Sequence, residues 1–376
     1  MDWVGLKAAI KAYGQEIGVD KMGFTDAQPL TEHLPRLLSR QKAGYKFAIN
    51  EGDPEKRISP HFHLPKAKSI ISIAVAYSCN NEHDNEKPDS GGPARGRISV
   101  ISRGLDYHGV IRGKLQQLKE FIVAKIPGAR IEMFVDTGEI LEKAIAVKAG
   151  LGWFGRNTLL ITPEFGSWVS LGELFTDLPL PADQPSSGSC GSCRRCVAAC
   201  PTNAIDEDKN INLDRCLACI TLSKRLPPRE VRHLMGNHLY GCDICQSVCP
   251  HNSVTRGTKP DLYQSGLDEA HPVLVEILQL NNAEYKKRFG HTSGAWRGKT
   301  PLQRNAVIAA GNLREYSAIP ALIKILYSDT RPVLRGIAAW ALGRIGTEQC
   351  RRALIKAAAT EQDSDVLTEL ELALQN

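Results

Sequence analysis

Nine of the eleven cysteines in this 376-residue chain fall between Cys190 and Cys249, and their spacing restricts the fold more than any other feature. Cys190-x2-Cys193-x2-Cys196-x3-Cys200-Pro201 is followed by Cys242-x2-Cys245-x3-Cys249-Pro250, so one Cys-x3-Cys-Pro ending occurs twice. Closely spaced thiolates with a third on the next turn can wrap one cube of iron and sulfide. In a two-cluster arrangement the last Cys of each run ligates the other cube, and the Pro turns the chain after it. The first cluster then takes Cys190, Cys193, Cys196 and Cys249. The second takes Cys200, Cys242 and Cys245 and needs a fourth thiolate, for which Cys216 and Cys219 both qualify. The competing reading is structural zinc at Cys-x2-Cys knuckles, which leaves the paired Cys-Pro crossovers unexplained. Cys79 and Cys350 stand alone and read as small buried hydrophobes.

A disulfide framework would spread its cysteines along the chain behind a signal peptide. Met1-Asp2-Trp3-Val4 lacks the basic-then-apolar layout of such a leader. No apolar run approaches the ~20 residues that span a bilayer. The expectation is a cytoplasmic protein that keeps its thiols reduced and makes no use of a membrane. Hydrophobic residues at 42% and charged residues at 23% fit an ordinary globular chain of two or three domains. The net charge of +6 is a mild basic excess, compatible with a nucleic-acid partner.

Leu6, Ile10, Tyr13 and Ile17 share one helical face, and Val110, Ile111, Leu115, Leu118 and Ile122 form a second stripe. Ile70 to Tyr77 reads as a buried strand. Ile131 to Val135 reads as another, followed by a helix from about Thr137 to Lys148 that ends at Gly150. Residues 80–96 read as a long loop and 181–189 as a linker. The first 180 residues are thus expected to be α/β or α+β. Beyond the cysteines the chain turns helical. Shifted by 32 residues, Ala306, Ala309, Gly311, Ala321 and Leu322 fall on Ala338, Ala341, Gly343, Ala353 and Leu354. That period, with small residues at the packing face, indicates an all-α solenoid of HEAT-like repeats, with a third partial repeat ending at Ala373. The alternative is two unrelated Ala-rich helix pairs.

Paired clusters conduct single electrons and do not by themselves make or break substrate bonds, so chemistry must reside in a partner or elsewhere in the chain. Asp136 sits at the end of a predicted strand, at the edge where ligands bind in open α/β sheets. It would serve as a general acid if burial raised its pKa. On the sequence alone, Asp136 with Glu139 reads more simply as a capping box for the following helix. Ala149-Gly-Leu-Gly-Trp153-Phe-Gly-Arg156-Asn157 combines close backbone approach with flat apolar walls, which suits a large planar cofactor; it reads equally as a helix C-cap plus turn. Asp106 before Tyr107-His108 reads as a cap, and Lys56-Arg57-Ile58-Ser59-Pro60 as a solvated basic turn. No Gly-x-Gly-x-x-Gly follows a strand, so a nicotinamide cofactor is not indicated.

The double Cys-x3-Cys-Pro module, Val135-Asp136-Thr137-Gly138, the loop ending at Asn157, Asp106-Tyr107-His108, Gly241-Cys242-Asp243-Ile244-Cys245-Gln246 and the repeat tail occur together, in order, over essentially the whole chain. In this the chain resembles the epoxyqueuosine reductases, which are similar in their core to cobalamin-dependent reductive dehalogenases. The resemblance implies three parts: a cobalamin-binding α/β (α+β) catalytic domain over 1–180, a bacterial-ferredoxin-like module with two [4Fe–4S] clusters over 181–255, and a tRNA-binding HEAT-like solenoid over 256–376. It implies reduction of the epoxide of epoxyqueuosine, at the wobble position of a tRNA anticodon, to the alkene of queuosine. Asp136 matches the proton donor. Cys216, within Arg215-Cys216-Leu217, matches the remaining ligand of the second cluster, and Cys219 falls where the family usually has another residue. Arg57, Arg103, Tyr107, His108, Trp153, Arg156, Asn157, Ser167 and Gly241 match cofactor-contacting positions.

Residues 281–315 carry Lys286, Lys287, Arg288, Arg297, Lys299, Arg304 and Arg314 against Glu284 and Glu315, which suits a phosphate backbone. Trp296 and Tyr285 would stack a splayed base. Lys224, Arg225, Arg229 and Arg232 form a second basic stretch. For any one of these residues a solvated face or a core position is the simpler reading. Competing functions are an electron-transfer subunit with clusters and no corrinoid, a dehalogenase-like enzyme for small halides, and an RNA-binding scaffold. The expected partners are tRNA and an external single-electron donor, with the chain acting as a monomer.

Overall fold

The structure is a computed structural model that describes residues 1–48, 52–77, 92–136, 138–206, 210–253 and 266–375. Cys79, Thr137 and most of the predicted 80–96 loop lie outside the described residues. The chain divides into two compact units, each assembled from separated segments. The first comprises Met1–Cys79, Leu105–Asp214 and Ile244–Tyr263. The second comprises Asn80–Gly104, Arg215–Asp243 and Gln264–Asn376. Among the described residues no helix is long and apolar enough to cross a membrane.

The first unit is built on a four-stranded sheet of β1 (Lys21–Asp26), β2 (Ser69–Ala76), β3 (Ile131–Phe134) and β4 (Val169–Thr176), in the order β1-β2-β4-β3. Every pairing is antiparallel, so the fold is the α+β variant, not an open parallel sheet. All eight residues of β2 are buried, which fits a strand whose only polar residues are Ser69 and Ser72. Helix α1 (Trp3–Glu16) starts on Asp2, whose side chain accepts from the Gly5 N–H. The long helix α2 (Tyr107–Lys125) starts on Asp106 and buries Ile111, Leu115, Leu118 and Ile122. It lies close against β4, because a Cβ at Gly172 would meet Ile111 at 2.4 Å. Helix α3 (Glu142–Lys148) covers the opposite sheet face, where its Ala144 and Ile145 pack with Phe175 and Ile70.

Two local expectations are corrected. α3 begins at Glu142, five residues later than the predicted Thr137, and has no side-chain cap. Asp136 therefore caps nothing; it stands in the left-handed region at φ 48°. The basic turn at Lys56–Arg57 is instead the short helix Pro54–Ile58, capped by Asp53.

The second unit carries the solenoid: α4 (Lys299–Leu313), α5 (Ile319–Ser328), α6 (Pro332–Ile345), α7 (Glu348–Ala358) and α8 (Ser364–Leu374). The 32-residue period is physical. A Cβ on Gly311 would lie 3.0 Å from Ala341 Cα, and one on Gly343 would lie 2.8 Å from Ala373 Cβ. Thus α4 meets α6, and α6 meets α8, through the same glycine–alanine contact. The parallel pair of short strands Arg97–Ile98 and His238–Tyr240 belongs to this unit.

Candidate functional site

At the end of edge strand β3 the chain leaves Phe134 and turns at Asp136, which is 53% exposed. The first turn of α2 brings two groups to its carboxylate. Tyr107 donates its hydroxyl to Asp136 Oδ2 at 2.8 Å, and His108 Nε2 lies 3.3 Å from the same oxygen. The other ring nitrogen of His108 meets Asp106 Oδ1 at 2.7 Å, so the helix cap also orients the imidazole. The hydrogen bond to His108 is the main reason the Asp136 carboxyl lies below its ordinary pKa; burial opposes it and Tyr107 adds to it. Reciprocally, Asp136 raises His108, and Asp106 helps, against burial. Asp136 is therefore held toward its ionised form and His108 toward its protonated form. The condition under which Asp136 alone would serve as the acid, a carboxyl raised by burial, is not met. Burial, then the Asp136 charge, push the Tyr107 phenol far up, so it is a fixed donor and not a base.

Behind Asp136 stand two further carboxyls that pattern reading gave no role. Glu142, the first residue of α3, accepts the Asp136 N–H. Burial, then the charge of Asp136, push Glu142 up to about 7. Glu173 is fully buried in β4, where Ser72 donates to its Oε1 at 3.2 Å and Oε2 has no hydrogen-bond partner. Burial, then Glu142, push its carboxyl well up. A lone charge inside the strand Val-Ser-Leu-Gly-Glu-Leu-Phe-Thr was the sequence signal for Glu173.

The first unit also brings Cys190, Cys193, Cys196 and Cys249 to line one cavity, together with Arg156, Asn157 and Ile161. All ten described cysteines are free thiols. Burial raises Cys196 and Cys249, and the charges of neighbouring thiols add to it: Cys190 and Cys249 act on Cys196, Cys190 and Cys193 on Cys249. Among the described residues no three His, Cys, Asp or Glu side chains close around a single metal ion. Four convergent thiols around a cavity are a donor set suited to a cluster of several irons. Arg156 ties this loop down, donating to the Cys193 carbonyl at 3.1 Å. Asn157 Nδ2 and Trp153 Nε1 are buried without a protein partner, so the Ala149–Asn157 loop offers two polar atoms to a bound group. Ser167 is occupied within the protein. Its N–H and Oγ bond Asn252, and its Oγ donates to Gln246, which fixes the turn after Cys249.

Cys200 and Cys245 belong to the first unit, Cys216 and Cys242 to the second. Arg57 is half-buried in its short helix. Arg103 and Gly241 lie in the second unit. Arg103 is buried and donates to the Ile98 carbonyl at 2.8 Å. Gly241 has φ 71°, and a Cβ there would strike Ser99 at 2.4 Å.

The basic segment also divides. Arg304 is 1% exposed and bonds backbone carbonyls of residues 220–225. Tyr285 is buried with its hydroxyl on the Ala295 carbonyl. Arg229 and Arg232 clamp Glu369. Arg304, Tyr285 and Arg232 are internal and face no phosphate, and Arg229 is half-buried and already paired. Lys286, Lys287 and Arg314 are exposed, as is Trp296 with the Arg297 guanidinium 4.8 Å from its ring.

Comparison with known proteins agrees with this geometry. Residues 57–137 match the family described as "Epoxyqueuosine reductase QueG, DUF1730", 189–252 match a 4Fe-4S double cluster binding domain, and 298–375 match HEAT repeats. The epoxyqueuosine reductase of Bacillus cereus is 42% identical, with 100% of this chain and 98% of the relative covered. That of Bacillus subtilis is 40% identical, covering 98% and 95%. A crystal structure of epoxyqueuosine reductase with an epoxyqueuosine-modified tRNA-Tyr stem loop superposes with a TM-score of 0.95 at 39% identity, covering 100% of this chain and 99% of that one. A Bacillus subtilis structure, with its catalytic aspartate loop swung out of the active site, matches at the same score, identity and coverage. With its acid cluster, its four-thiol cavity and its glycine-packed repeats aligned along their full length with these enzymes, the chain belongs to the epoxyqueuosine reductase family.

Proposed function

We propose that this chain reduces epoxyqueuosine to queuosine at the wobble position of tRNA anticodons, the last step in making that nucleoside. The observation that carries the reading is the Tyr107–Asp136–His108 acid cluster, built into the same unit that gathers the four-thiol cavity. Residues 1–180 would hold cobalamin, with Arg57, Arg103, Tyr107, His108, Trp153, Arg156, Asn157 and Ser167 as contacting positions there and Gly241 as one beyond them. Cys190, Cys193, Cys196 and Cys249 hold one [4Fe–4S] cluster; Cys200, Cys216, Cys242 and Cys245 hold the other. When bound, cobalamin supplies a low-valent cobalt as reductant, fed one electron at a time through the clusters from an external donor.

The chain's own task is to manage protons. Conversion of the epoxide to the alkene and water consumes two electrons and two protons, and the departing oxygen must be protonated. Asp136, presented to solvent at the strand end, is the group that meets that oxygen. His108 holds the proton at rest and passes it through Asp136, while Tyr107 fixes the carboxylate by its hydroxyl hydrogen bond. Lys286, Lys287, Arg314 and the Trp296–Arg297 pair, within 256–376, are the exposed groups that suit tRNA. The protein works as a monomer.

Anaerobic purification after cobalamin supplementation, followed by metal analysis and turnover of epoxyqueuosine-containing tRNA, tests the reading. About eight Fe and one Co per chain are expected, with activity lost in Asp136→Asn. Iron without cobalt refutes the catalytic assignment.

A further inference from the structure

The proton-carrying residue is itself held by a second carboxylate. Asp136 adopts a left-handed backbone, φ 48°, which is unfavourable for a residue with a side chain and persists only where something enforces it. Its N–H donates to Glu142 Oε1. That glutamate opens α3, a helix with no side-chain cap, so its carboxylate is committed to Asp136 and not to the helix start. The groups facing Glu142 are Asp136, with Tyr107 and His108 behind it on α2, Lys143 on its own helix and Glu173 on β4.

We propose that Glu142 is a positioning residue: its ionised carboxylate latches the Asp136 N–H and holds the catalytic loop in its reacting position, and protonation of Glu142 releases the loop. An ionised acceptor binds an N–H about twice as strongly as a neutral one, so the latch weakens when the charge is lost and the left-handed turn relaxes. Burial and the Asp136 charge put that change at about pH 7. The sign is fixed: Glu142 is ionised and the loop held above that value, and the loop is freed as pH falls through it. Burial, then Glu142, push the buried Glu173 carboxyl in the same direction, toward its neutral form.

The inference rests on Asp136 as the proton donor, and two readouts separate the claims. The first is amide hydrogen exchange of the full chain without cobalamin, with protection of the segment around Asp136 corrected for intrinsic pH dependence. The second is single-turnover reduction of epoxyqueuosine-containing tRNA by the loaded enzyme. Both are taken one pH unit below and above the Glu142 transition. In the wild type, protection and rate should each rise about tenfold on the alkaline side. Glu142→Gln, nearly isosteric, should show low protection on both sides and no acid limb, with KM for tRNA unchanged. Wild-type protection that ignores pH, or a Glu142→Gln variant that retains the acid limb, overturns the latch. Asp136→Asn with normal turnover overturns the proton-donor reading instead, and the exchange data still decide the latch.

Discussion

Replacing Arg304 by methionine separates two accounts of the basic segment 281–315. If Arg304 faced a phosphate, its loss would weaken tRNA binding and reduce the salt slope by about one, with stability unaffected. The structure assigns it to the interior. Its Nη1 donates to the carbonyls of Ser223 at 2.6 Å and Arg225 at 2.5 Å. Its Nη2 donates to those of Ile220 at 2.9 Å and Thr221 at 3.3 Å, and to Asn305 at 2.7 Å. Methionine fills much of the same volume, so the loss is that of the guanidinium. Water can reach the part-buried Arg225 carbonyl, and Thr221 keeps a bond from Asn305 Nδ2 at 2.9 Å. Ile220 keeps a bond from the Ser223 N–H at 3.3 Å. The Ser223 carbonyl and Asn305 Oδ1, which receives Arg304 Nε and Nη2, are then buried acceptors without a donor, at ~1–3 kcal/mol each, giving about 4 kcal/mol in all. That is a large share of an ordinary domain's ~5–15 kcal/mol. The assay is urea unfolding of the full chain, followed by iron content after cluster reconstitution, because residues 220–225 span the end of the helix Leu217–Leu222, whose N-cap is Cys216. The expected result is a much earlier unfolding transition and partial iron loss. An unchanged transition with a reduced tRNA salt slope would refute the reasoning.

His108 is raised by Asp136 and Asp106, so its proton is present at low pH and lost as pH rises through its pKa; Asp106→Asn should move the alkaline limb of the pH–rate profile to lower pH. Gly343→Val forces a side chain into Ala373 and should cost ~1–3 kcal/mol, read as an earlier thermal transition, with Gly311→Val behaving alike at Ala341. Cys216→Ala should remove about four of the irons while Cys219→Ala keeps them, measured by iron and sulfide analysis; the reverse result would transfer the ligand role to Cys219.

How much was readable in advance follows from the range of each interaction. The apolar segments Ile70–Tyr77 and Ile131–Val135 located β2 and β3, and the period-3.6 stripe located α2, because burial is a local constraint on composition. The glycine–alanine contacts of the solenoid were visible because the same packing recurs 32 residues later. Asp106 as a cap was visible because a cap is decided within three residues. The start of α3 was missed: its first turn is set by Glu142 reaching back to Asp136, which overrides the Asp136–Glu139 capping pattern. The direction of the Asp136 shift was missed because it depends on His108, twenty-eight residues away in sequence. Arg304 was grouped with the basic residues that suit a phosphate backbone, since nothing local reveals that it meets carbonyls some eighty residues earlier, just as nothing local reveals that Glu369 meets Arg232.

The interleaving of the two units bears on how the protein can be made. The chain passes from one unit to the other five times, after Cys79, Gly104, Asp214, Asp243 and Tyr263. Neither unit corresponds to a stretch that deletion could isolate. During synthesis the first unit cannot take up its last segment until the ribosome has passed residue 263, and contacts between distant segments close slowly. Truncation at residue 180 or 255 would strand part of each unit. An early stop codon is therefore expected to yield insoluble chain, not a smaller working enzyme.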